Sequence, residues 1–143
     1  MLKRFALALL VLPLTSGCAV NRATATVTPG ADPGTARTFF VVQPNADSRG
    51  VGKLVTDNLV KRGFSATAGP DVPQPSKVDA VITYVDRWMW DITMYMVELT
   101  VTMRNPQNNF PIASGNSYHT SLSRKSPEEM VDEVLTNIFN AKK

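Results

Sequence analysis

Cysteine and histidine each occur once in the 143-residue chain, as Cys18 and His119. A lone thiol makes no internal disulfide, so any folded core must be stable through apolar packing alone. So few soft ligands also leave no His-Cys or multi-histidine metal site. Charged side chains make up only 19% of the chain, and none of them line up as the basic stripe of a nucleic-acid binder. No apolar run approaches the ~20 residues that span a bilayer; the run from Phe5 to Leu14 is short and broken at Pro13. Nucleophile elbows are missing, and Gly50 and Gly52 lack the lysine-threonine pair of a phosphate loop. These absences leave no catalytic motif, and the chain is expected to be non-enzymatic, with no cofactor and no metal.

What is present begins at the N-terminus. Lys3 and Arg4 precede the short apolar run, and Leu14, Thr15, Ser16 and Gly17 lead into Cys18. That order resembles a bacterial lipoprotein signal with its lipobox, although Thr15 stands where leucine is more usual and Leu14 comes one position early. The resemblance implies that residues 1–17 are a cleaved signal peptide and that Cys18 carries palmitate and related acyl chains. Acylation also accounts for the odd cysteine, and two or more chains hold a protein stably on a membrane. Ala19, being no aspartate, matches the sorting rule for the outer membrane, which implies a lipid-anchored protein on the periplasmic face. Loss of Lys3 and Arg4 lowers the formal charge from +3 to +1, so the mature chain is nearly neutral.

Residues 18–37 are Thr, Ala, Pro and Gly with hardly a large side chain, which reads as the acylated cysteine and a flexible tether. Residues 38–143 then form one domain. Thr38 to Gln43 reads as a buried strand stopped by Pro44. Asp47 or Ser48 can cap a helix with Val51, Leu54, Val55 and Leu59 on one face, ended by Gly63. Phe64, Ala66 and Ala68 alternate as a short strand before the proline-rich loop Pro70 to Pro75. Val78 to Asp86 reads as a central strand. From Tyr95 the alternation puts Val97, Leu99, Val101 and Met103 on one face and Met94, Met96, Glu98, Thr100, Thr102 and Arg104 on the other. A turn at Asn105 to Asn109 leads to a last strand from Phe110 to about Leu122. Ser126, Pro127 and Glu129 make a capping box with proline in the first helical position, followed by the apolar face Met130, Val131, Val134, Leu135, Ile138 and Phe139. The expected class is α+β: a mixed, mostly antiparallel sheet in the order β-α-β-β-β-β-α, with two helices packed on one face.

This pattern resembles small envelope lipoprotein domains: the curli-secretion lipoprotein, the outer-membrane activators of penicillin-binding proteins, and the N-terminal domain of the Tol-system translocation protein. Val78-Asp79-Ala80-Val81-Ile82-Thr83, Val97-Glu98-Leu99-Thr100-Val101-Thr102 and Ile112-Ala113-Ser114-Gly115 carry the resemblance. It implies a periplasmic adapter module rather than a pore, because no extra membrane-inserting hairpin is available.

The densest unusual segment holds both tryptophans. Arg87, Trp88, Met89, Trp90, Asp91, Met94 and Met96 form the candidate binding surface, since aromatic and Met-rich surfaces suit adaptable interfaces. Trp88 and Trp90 would share one face and Arg87, Met89 and Asp91 the other; covering the end of the core is the alternative use of the tryptophans. Asp86 and Asp91 as an acid-base pair, and His119 in a triad, find no support in spacing. His119 reads as a surface or half-buried strand residue. The expected function is a protein-binding or assembly module with an envelope protein partner and the membrane, not nucleic acid. A carrier or sensor of an apolar or cell-wall ligand is the alternative, and it needs a pocket lined by Trp88, Trp90 and Met94.

Overall fold

A computed structural model describes residues 20–71 and 77–141. The segment expected to be a signal peptide, Cys18 and most of the proline-rich loop lie outside the described residues. The elements run β1 (Asn21–Val27), β2 (Thr38–Val42), α1 (Val51–Lys61), β3 (Ser65–Gly69), β4 (Ala80–Asp91), β5 (Thr93–Arg104), β6 (Pro111–His119) and α2 (Pro127–Asn140). The six strands form one sheet in the order β1-β6-β5-β4-β2-β3. Pairing is parallel for β3 with β2 and β2 with β4, and antiparallel across β4, β5, β6 and β1. The α+β class and the strand-helix order are as expected, with one strand added in front.

That added strand corrects the tether. Asn21 to Val27 pairs residue for residue with His119 to Ala113 along the sheet edge. Thr24, Thr26 and Val27 are β-branched, and Ala25 and Val27 pack against the core beneath α2. Composition reflects side-chain burial alone, whereas an edge strand is held mainly by its ladder of backbone hydrogen bonds.

β2 places Phe39, Phe40 and Val41 in the interior. Its start is tied to that of β4 by Asp79, whose carboxylate accepts from the backbone N–H of Arg37 and Thr38 at 2.9 Å each. Those donors, Arg37 first, hold the Asp79 carboxyl below its ordinary range. Asp47 caps α1, accepting from the N–H of Val51 at 2.9 Å and Gly52 at 3.1 Å. Gly63, at φ +89°, ends the helix: its N–H bonds the carbonyl of Val60 while that of Phe64 bonds Leu59.

α2 begins with the expected capping box, Ser126 with Glu129. It buries Met130, Val131, Val134, Leu135 and Ile138 against β1, β5, β6 and α1. Phe139 joins Phe39 and Phe64 in an aromatic trio. Both helices share one core with the sheet. The two are also stitched together by Arg62, which donates to Asp132 at 2.9 Å and Thr136 at 2.7 Å. Among the described residues no helix is long and apolar enough to cross a membrane.

Candidate functional site

β4 and β5 form a hairpin of two 12-residue strands that outruns its neighbours. β2 pairs with β4 only as far as Ile82, and β6 pairs with β5 only as far as Glu98. The distal half of the hairpin therefore has no strand on either side, and side chains brace it instead. Arg124, just past β6, donates to the Thr93 hydroxyl at 2.8 Å and to the Asp91 carbonyl at 2.7 Å. It also pairs with the Asp91 carboxylate at 3.2 Å, and its guanidinium lies 4.2 Å from the Tyr95 ring centre. On the other side Arg49 stands 4.3 Å over the Trp88 ring, and the Trp88 indole donates to Asp86 at 2.5 Å.

The seven candidate residues do not form one surface. Trp88 is half-buried and packs against the core. Trp90, two residues farther on the same strand face, lies beyond the body of the domain and is 70% exposed. Met94 opposes Trp90 and is exposed too. Arg87, Met89 and Asp91 alternate to the opposite face, which carries no helix; Arg87 pairs there with Glu98 at 2.8 Å. Met96 is not on the surface at all, being 1% exposed within the core. The cause is a register shift beside Trp88: Arg87 faces Glu98, yet Trp88 faces Met96, so Val97 is an extra residue. That bulge reverses the expected alternation only on its tip side, from Met94 to Met96, and turns Met96 inward, whereas Val97, Leu99, Val101 and Met103 are buried as expected.

Two exposed residues fell outside the sequence-based list. Val85 is 71% exposed on the helix-free sheet face, and Ile92 is 87% exposed at the hairpin tip. Ile92 also has φ +63°, a left-handed conformation that β-branched residues rarely adopt. Tight hairpins ordinarily place Gly or Asn at such a position, and the penalty for a side chain there is about 1–2 kcal/mol. Ile92→Asn is therefore expected to raise stability by roughly 1 kcal/mol; an unchanged or lowered denaturation midpoint would show that Ile92 is not strained. The one sequence signal for it is a bulky β-branched residue between Asp91 and Thr93, where a turn former would be ordinary.

The carboxylates considered for acid-base chemistry are engaged separately, Asp86 by Trp88 and Asp91 by Arg124. Among the described residues no group of three His, Cys, Asp or Glu side chains is placed to hold a metal. His119 is buried rather than at the surface, only 2% exposed. Its Nε2 lies 2.8 Å from Glu133 of α2, which also accepts from the Ser117 hydroxyl at 2.6 Å and from Lys125. Burial alone would raise the Glu133 pKa, but the bonds from His119, Lys125 and Ser117 outweigh it and hold the carboxyl at about 2. The cluster joins α2 to β6. It lacks a nucleophile-base contact, since the Ser117 hydroxyl bonds the carboxylate instead of the imidazole.

No family model matches the chain, and no curated protein matches it. Among solved structures the fold is similar to the PelC dodecamer from Paraburkholderia phytofirmans, with a TM-score of 0.60 and 14% identity, over 87% of this chain and 100% of that one. A PDZ domain protein from Parabacteroides distasonis aligns with a TM-score of 0.52 and 10% identity, over 87% of this chain and 38% of that one. A minor lipoprotein from Acinetobacter baumannii aligns at 15% identity over 72% of this chain and 87% of that one, and its TM-score of 0.34 is too low to argue from. At these identities the first two likenesses establish the architecture alone.

Proposed function

We propose that the chain is a non-enzymatic lipoprotein of the cell envelope, acylated on Cys18 and held on the periplasmic face of the outer membrane. There it serves as a protein-binding or assembly module. The observation that carries this reading is the open sheet face beside the unsupported hairpin, which keeps Val85 and Met89 in solvent with no helix to cover them. Apolar side chains gathered in this way mark an interaction surface. The carrier reading is less well supported: Trp88 is covered by Arg49, while Trp90 and Met94 stand exposed instead of walling a pocket with it. PelC is a dodecamer in its own structure, and self-assembly through the open sheet face is the form of this reading that can be measured first. Native mass spectrometry of the detergent-extracted protein is expected to find copies or a partner; a solitary monomer at every concentration would count against it.

The anchor has its own test. Cys18→Ser is expected to abolish membrane association and palmitate incorporation while leaving the folded domain unchanged by circular dichroism. A variant that still partitions with detergent, or a wild-type protein that takes up no label, would remove the lipoprotein reading.

A further inference from the structure

We propose that the free end of the β4–β5 hairpin is a lipid-contacting tip, which seats Trp90, Ile92 and Met94 in the membrane leaflet that holds acylated Cys18. The inference rests on the acylation reading above, and strand direction leads to it. Asn21 lies opposite His119, so the start of β1 and the end of β6 are neighbours. β6 runs antiparallel to β5, with Tyr118 opposite Glu98, so the end of β6 lies toward the start of β5, where the tip is. The chain therefore enters the domain at the same end from which the hairpin projects.

Side-chain and backbone contacts close that end together. The Val20 carbonyl accepts from the Thr120 N–H at 3.2 Å and the Ser123 hydroxyl at 3.3 Å. The intervening 3-10 turn, Ser121–Ser123, exposes 77% of Leu122, and the next residue, Arg124, grips the tip. Val20, Met89, Trp90, Ile92, Met94 and Leu122 are six of the nine exposed large apolar side chains among the described residues. Phe110, by contrast, lies in the β5–β6 turn at the far end. Asp91, the carboxylate at the tip, is paired with Arg124, so the tip can leave water without stranding a bare charge.

Only Ala19 and Val20 separate Cys18 from β1. Covalent geometry thus keeps the Cys18 Cα within about 11 Å of that of Asn21, a reach comparable with the headgroup layer of about 5–8 Å. Acyl chains on Cys18 would hold this apolar end against lipid continuously, without a separate association step. A partner protein would have to compete with that tethered surface for the same side chains. Tryptophan in particular favours the membrane-water boundary. Val85 and Arg87, on the open sheet face, are left for protein contact.

The test separates the tip from the anchor. The mature chain from Cys18, carrying Trp88→Phe so that Trp90 is the sole tryptophan, is coupled through its thiol to a maleimide phospholipid. The carriers are vesicles of phosphatidylethanolamine and phosphatidylglycerol. Trp90 emission is expected to shift to the blue and to fall severalfold when the lipids are brominated on upper acyl carbons. The converse variant, Trp90→Phe, should leave Trp88 emission unchanged. Trp90 remaining fully open to iodide and indifferent to bromolipid would overturn the proposal. So would a photoreactive residue at position 90 of the native protein in cells that crosslinks to a protein or a second copy. Palmitate labelling of Cys18 in cells reports on the anchor independently: label without bromolipid quenching defeats the tip alone, and quenching without label defeats the anchor alone.

Discussion

Leu135→Ala is expected to lower the stability of the domain by about 2–5 kcal/mol, toward the upper part of the range for a buried leucine. Leu135 has no solvent exposure, and it sits in the middle of α2, which covers β1, β6 and β5 at once. What decides the magnitude is whether the helix can settle into the space left behind. It has little room to do so, because a Cβ at Gly115 of β6 would already lie 2.9 Å from Ile138 and 3.0 Å from Val134. With the helix resting on the strand backbone there, the truncated site keeps most of its cavity instead of collapsing. Denaturant melts of the soluble mature domain measure the loss directly. A midpoint equal to that of wild type would mean that α2 is not part of the core.

The same helix was legible in the sequence because local and long-range signals coincide in it. Ser126, Pro127 and Glu129 specify its start by backbone chemistry alone, and five of the six apolar positions in its predicted stripe are fully buried. The β5–β6 turn was legible for a similar reason: Asn109 takes φ +59°, which asparagine tolerates, and Asn105 and Asn108 each accept a bond from a nearby backbone N–H.

β1 was not legible, because Asn21 to Val27 carries little apolar surface of its own and becomes a strand only when β6 is beside it. The bulge at Val97 was equally hidden. Alternation from Tyr95 to Met103 is unbroken in the sequence, and only pairing with β4 reveals the extra residue that puts Met96 in the core. As a result the bulge decides which side chains of the candidate segment reach solvent. Trp90 and Met94 are exposed as a binding surface requires, Met96 is not, and Ile92 belongs with them for a reason of backbone conformation.

Glu133→Ala is expected to destabilise the domain by roughly 3 kcal/mol or more, through the polar groups it would leave without an acceptor. Its carboxylate is the acceptor shared by His119, Ser117 and Lys125. His119 and Ser117 are both buried, and each polar group stranded there costs about 1–3 kcal/mol. The His119 ring is already short of partners: Nδ1 is buried without a hydrogen bond, and a carboxylate accepts only, so Nε2 must carry the proton it shares with Glu133. Removing the acceptor would leave both ring nitrogens unsatisfied. Because the Glu133 pKa is depressed from 4.5 to about 2 on folding, its contribution is fully present above the unfolded pKa. It is lost as the pH falls through about 2. Wild type is therefore expected to lose stability progressively below pH ~4.5, whereas Glu133→Gln, which keeps the shape but cannot titrate, should lose the part of that dependence due to this group. Denaturant melts of both proteins across this pH range decide it. Identical pH dependence in the two would mean that the cluster joining α2 to β6 contributes nothing specific to the acid response of the fold.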